Sequence, residues 1–243
     1  YRLDFVMHSI KYSVMIIIMS LVWRAVGEAS GDARLVDPAT VSYFFWAAIL
    51  YALSNFHPFY INEDITKGSL SKYLLKPITP YLYYFSWETG VMVLETILKL
   101  VMLLPIMWVL RLPLFFDPAR TALFFLYMVG IVVFAYALQA TIAYLSFWLT
   151  EAYAIRWAIL VVIRFLTGIL VPLWLLPAWY QQISPWLPFQ YMAFTPIQLM
   201  LGQIPISEGL VGLALLAFWS VVMLAIQRIT WVAGLKTNEM VGN

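Results

Sequence analysis

Four ionisable residues sit inside otherwise apolar stretches: Glu88, Glu95 and Lys99 between Tyr81 and Leu110, and Arg164 between Ala152 and Leu176. A charge at the centre of a bilayer costs at least about 2.5–3.5 kcal/mol, so each one needs a partner or a water-lined path. Glu95 and Lys99 are four residues apart with the acid nearer the N-terminus, the favourable order for a pair within one helix. Arg164 has no acid within helical reach, which predicts a counter-charge from another helix, with Glu95 or Glu88 as the candidates. Such groups either neutralise one another or line a route for protons or substrate.

Other chemistries find little material. There is no cysteine, the histidines are His8 and His57, and neither a G-x-S-x-G turn nor an H-E-x-x-H zinc motif occurs. His57, in Ser54-Asn55-Phe56-His57-Pro58, reads as a hydrogen-bonded interfacial histidine. ATP hydrolysis would need a phosphate-cradling G-x-x-x-x-G-K-[ST] loop, to which Lys67-Gly68-Ser69 is the nearest and an inadequate approach. The chain is therefore expected to be no enzyme and to hold neither metal nor cofactor.

The elements that position these residues can be read from composition. Of 243 residues, 64% are apolar and 11% charged, and mean hydropathy is +0.88. Soluble domains are about 45–50% apolar and about 25% charged, so the solvent is lipid. Disorder is excluded, as is a disulfide scaffold, and a net charge of +2 without a dense basic run excludes a nucleic-acid partner. A bilayer core takes roughly 20 apolar residues per helix. Candidate spans are Tyr12 to Val26 (extended by Leu3 to Ile10), Val41 to Ile61, Tyr81 to Leu110, Leu123 to Leu149, Ala152 to Leu176 and Leu210 to Val232. The expected fold is all-α, a polytopic membrane protein with six transmembrane helices forming one domain over residues 1–243. The chain opens at Tyr1 rather than Met, so further N-terminal residues are expected, and the first run does not read as a cleaved signal.

Two segments interrupt the spans. Pro172 to Pro205 is apolar but dense in proline, tryptophan and tyrosine, which predicts short broken or re-entrant helices sheltered by the bundle. Asn62 to Lys76 is the most polar stretch; it reads as a solvated loop or a short interfacial helix that Pro77 and Pro80 bring to an end. With the N-terminus inside, Arg2, Lys11, Lys67, Lys72, Lys76, Arg156, Arg228 and Lys236 fall on the inner side, against Arg34, Arg111 and Arg120 outside, joined by Arg24 if that residue lies past the midplane. The excess of inner cations predicts cytoplasmic termini.

The stretch from Glu63 to Pro77 resembles the "acid, then Gly-x-Leu, then Leu-Leu, then basic-Pro" segment of type-2 ABC exporter permeases. Gly168, Pro172, Pro177, Leu187-Pro188-Phe189, Pro196 and Gly202 are similar to the layout before the last span in one bacterial branch of that family. The resemblance implies an exporter built from two permease subunits, identical or related, and two copies of an ABC ATPase that binds ATP and Mg, in the bacterial cell (inner) membrane. It implies that Glu63, Asp64, Lys67, Gly68, Leu70 and Lys72 form a coupling helix against the ATPase, with Glu151 and Arg156 in a second, smaller contact. Pro172, Pro177, Trp179, Pro188 and Phe189 would belong to an outer cap. Larger members carry an extended outer domain that this chain lacks, which leaves the substrate open. The rival is a secondary transporter driven by an ion gradient through Glu95, Lys99 and Arg164, although no internal repeat of the kind such folds show is evident.

Overall fold

A computed structural model describes residues 14, 18, 19, 21–31, 33–56, 59–70, 77, 79–109, 117–149 and 152–241. All regular structure among them is helical. Residues 21–30 are helical, carrying an exposed Arg24–Glu28 ion pair at 3.1 Å on the i, i+4 rule. The polar stretch from Gly27 therefore prolongs a helix before ending it.

A four-residue α1 (Ala33–Val36) leads into α2 (Pro38–Ser54). Asp37 caps α2: its Oδ1 accepts from the Ala39 amide at 2.9 Å, and Pro38 supplies a pre-set φ at the first helical position. The second expected span does not run on to Ile61. α2 stops at Ser54, and Phe59–Thr66 forms a separate short helix, α3. α4 (Pro80–Val109) follows, then α5 (Pro118–Tyr144), which repeats the Asp-Pro-Ala start with Asp117 accepting from the Ala119 amide at 2.9 Å.

α6 (Ala152–Leu166) ends ten residues short of the fifth expected run. Gly168 takes φ +85°, and a Cβ there would collide with Leu173 and the Tyr43 hydroxyl, so the chain turns where only glycine fits. Between that turn and the last helix lie α7 (Ala178–Ile183), α8 (Phe194–Met200) and three single 3₁₀ turns. The final helix, α9 (Ile206–Val241), is longer than expected at both ends.

The core is the pairing of α5 with α9, against which α2 and α8 pack. Tyr127 on α5 donates to the Gly209 carbonyl at 2.7 Å, and its hydroxyl occupies the space a Cβ on Gly212 would take. Small residues letting two helices approach closely are the usual packing solution where lipid offers no hydrophobic drive. Pro118–Phe147 and Ile206–Thr237 are long and apolar enough to cross a bilayer. Leu94, Val101 and Trp108 on α4, Phe125 and Val129 on α5, and Val221 and Ile229 on α9 are exposed. Such apolar outer faces suit hydrocarbon, and with the composition they mark an integral membrane protein.

The helices alternate between two ends. One gathers the starts of α2, α5 and α9 with α8, tied by Arg120, whose Nη1 donates to the Leu199 and Ile204 carbonyls at 3.0 and 2.7 Å. The other gathers α3, the start of α4, the end of α5 and the later turns of α9, where Trp231 packs on Tyr144 with ring centroids 5.0 Å apart.

Candidate functional site

α3 has two faces of different character. Ile61, Asp64, Ile65 and, beyond the helix, Leu70 are buried, while Thr66, Lys67 and Gly68 are exposed and Glu63 is partly so. Lys67 donates to Glu63 one turn earlier on the open face. Gly68 ends the helix at φ +68°, a left-handed conformation that residues with a Cβ adopt at a cost. After it, the Leu70 amide returns to the Asp64 carbonyl at 3.1 Å.

Asp64 is the anchor of this turn. One carboxylate oxygen accepts from the Ser69 hydroxyl, and the other accepts from Tyr84 on α4 at 2.7 Å. Tyr60 of α3 also meets Trp87 of α4 edge to face, 6.1 Å between centroids. On its other side α3 packs against the end of α5 and the 3₁₀ turn Leu145–Phe147. α3 thus contacts two long helices through hydrogen bonds and packed rings.

Burial divides the residues expected at an ATPase contact. Asp64 is spent inside the chain, and Leu70 is fully buried in the main core, because the left-handed turn at Gly68 folds the next residues back under α3. Their side chains support the surface and do not form it. Lys72 and Glu151 lie outside the described residues, as does His57. Arg156, expected on the inner side in the second contact, is buried: its guanidinium donates to the Phe56 carbonyl at 2.7 Å and to Gln139 Oε1 at 3.3 Å. The break after α2 leaves carbonyls that need donors, and Arg156 supplies one. Sequence reasoning did not single out Ser69, Tyr84 and Gln139, the partners of these groups. Their signal was present only as polar atoms in apolar surroundings, which must find partners when buried.

Of the intramembrane charges, Lys99 is buried, and its Nζ donates to Glu95 Oε2 at 3.2 Å within α4; Glu88 on the same helix is also buried. Arg164 is partly buried, with its guanidinium carbon 4.9 Å from the centroid of Tyr51 and 5.8 Å from that of Trp157. Arg164 thus rests on ring faces, while Glu95 is engaged with Lys99. Aromatic faces attract a guanidinium through their quadrupole, and a desolvated contact is worth up to about 2 kcal/mol.

In the proline-rich segment Pro172 and Pro188 are buried, Phe189 is half-buried, and Pro177 and Trp179 are exposed. The segment is fastened by Tyr180, which donates to the Leu166 carbonyl at 2.7 Å, and by the Phe194 amide on the Thr167 carbonyl at 3.2 Å. Among the described residues no group of three or more histidine or acidic side chains could hold a metal ion. α3 thus shows an exposed polar face over a buried anchoring face. The sequence model of the family described as "ABC-2 family transporter protein" matches residues 10–242. No curated protein and no solved structure matches the chain.

Proposed function

The chain belongs to the ABC-2 transporter family, and from that premise we propose that it is the permease subunit of an ATP-driven exporter whose nucleotide is bound and hydrolysed by separate ATPase subunits. Family membership makes it a transporter membrane component. The proposal adds direction, energy source and assembly: two permeases, this chain twice or with a related one, and two ATPase copies carrying ATP and Mg.

One observation carries the reading. α3 presents Glu63, Thr66, Lys67 and Gly68 outward while Asp64 and Leu70 fix it to the bundle behind. A partner whose nucleotide-bound and free states press differently on that face would shift the bundle between two arrangements, since a ligand moves an equilibrium only by its differential affinity. In the proposed topology the single domain crosses the bacterial inner membrane six times with both termini cytoplasmic, so that α3 faces the ATPase. Lys72 and Glu151 would extend the same contact. The proline-rich segment, with Pro172, Pro177, Trp179, Pro188 and Phe189, would then form re-entrant helices at the outer mouth. Glu88, Glu95, Lys99 and Arg164 are assigned a structural role.

Reconstitution into vesicles with the co-purifying ATPase tests this. ATP-dependent movement, together with a cross-link from a cysteine at position 67 to the ATPase, is the expected result. Movement driven by a proton or sodium gradient without nucleotide, or a cross-link only from the opposite end, overturns it.

A further inference from the structure

A cleft of about 250 Å³ opens at the end of the bundle that holds α3, between the start of α4, the end of α5 and the later turns of α9. Thr79 and Tyr81 line it on one side, and Leu224, Gln227 and Arg228 of α9 line it on the other. Arg228 is exposed, and among the described residues none forms an ion pair or hydrogen bond with its side chain. The Thr79 and Tyr81 hydroxyls likewise make no hydrogen bond with a described residue.

Position along α9 fixes the depth of this arginine. Glu208 and Arg228 bracket a run without a single charge, and at about 1.5 Å per residue they stand about 30 Å apart along the axis. The hydrocarbon core of a bilayer has that same thickness, so Arg228 sits where hydrocarbon gives way to phosphate. Leu224 and the exposed Val221 lie one and two turns deeper on the same face of the helix. The arginine therefore stands at the head of an apolar track that faces lipid.

Charge selects the ligand. Arg228 is the charged residue of the lining, and no acid stands beside it there. The residues leading into Thr79, from Ser71 to Ile78, include Lys72 and Lys76 and no acid, so the adjoining chain adds only positive charge. A choline or ammonium group finds no counter-charge in such a cleft. A phosphodiester accepts from a guanidinium and from hydroxyls, and has no hydrogen of its own to place. Depth and the apolar track favour a phosphate carried on a lipid, since a phosphate in solution gains nothing from Leu224 and Val221. We propose that the cleft binds the headgroup of one anionic phospholipid, with Arg228 on the phosphodiester, the Thr79 and Tyr81 hydroxyls as further donors, and an acyl chain along Leu224 and Val221. Basic clefts between transmembrane helices are a recurring mode of such recognition. The site stands independently of how transport is driven.

The test titrates the delipidated full chain in detergent with dioleoyl-phosphatidylglycerol or dioleoyl-phosphatidylcholine and counts bound lipids by native mass spectrometry. The expected result is one site that prefers phosphatidylglycerol about tenfold, the effect of roughly one charge-assisted hydrogen bond. Arg228→Gln should remove that preference and Arg228→Lys should keep most of it. Lys236→Gln takes the same charge from an exposed position two turns farther along α9 and should leave the preference intact. Equal retention of the two lipids by the wild type overturns the proposal, as does equal loss in Arg228→Gln and Lys236→Gln, which marks attraction to overall charge. So does displacement of the lipid by inorganic phosphate at equal concentration, which marks a soluble anion. Lowered melting of Arg228→Gln with its lipid preference unchanged would make the arginine a structural partner inside the protein and overturn it too.

Discussion

The Tyr84 hydroxyl donates to Asp64 Oδ2 at 2.7 Å, tying the short α3 to the first turns of the thirty-residue α4. Both side chains are buried. A charge-assisted hydrogen bond in such surroundings contributes about 1.5–3 kcal/mol. Tyr84→Phe should therefore lower thermal stability by an amount in that range and expose the 59–70 segment to protease. Asp64→Ala should cost more, because it strands both the Tyr84 and Ser69 hydroxyls. Equal protease resistance in wild type and both variants would show that the tie does not hold α3.

Lys67 and Glu63 test function without touching the core. Lys67 is exposed and Glu63 partly so, and exposed pairs are worth about 0–1 kcal/mol. Lys67→Glu should leave folding within that margin while reducing permease-stimulated ATP hydrolysis, through like charges on the docking face. The measurement is ATPase rate with and without the permease in nanodiscs. Full stimulation in Lys67→Glu and in Glu63→Lys would remove α3 from the contact.

Leu70 belongs to the core, with none of its surface exposed. Leu70→Ala should cost about 2–5 kcal/mol by opening a cavity, and Leu70→Asp should prevent a stable fold by burying a charge. A Leu70→Asp protein with wild-type melting behaviour and lost coupling would restore this residue to the contact surface.

Gly212 and Gly90 form a matched comparison on two long helices. A Cβ on Gly212 meets the Tyr127 hydroxyl as well as Thr195 and Tyr191, whereas a Cβ on Gly90 meets nothing within 4 Å. Gly212→Ala should destabilise by about 1–3 kcal/mol through overpacking of α5 against α9. Gly90→Ala should be neutral or stabilising by up to about 1 kcal/mol through helix propensity. Denaturant titration of the two purified variants separates them; equal midpoints would mean the two helices can slide apart freely.

Solvent preference and local geometry are the two properties that the sequence determined by itself. Its apolar content set a lipid environment, the long apolar runs between Leu123 and Leu149 and between Leu210 and Val232 marked the two helices that became α5 and α9, and the Glu95–Lys99 spacing placed a pair within one helix. Tertiary structure decided which polar groups face inward. Leu70 lies under α3 because one glycine turns left-handed, and Arg156 is buried where it donates to the carbonyl of Phe56, just past the end of α2 and one hundred residues away in sequence. Arg164 rests on Tyr51 and Trp157 where sequence reasoning looked for an acid. A buried polar atom takes whichever partner packing brings within 3 Å or so, and that partner has no fixed spacing along the chain.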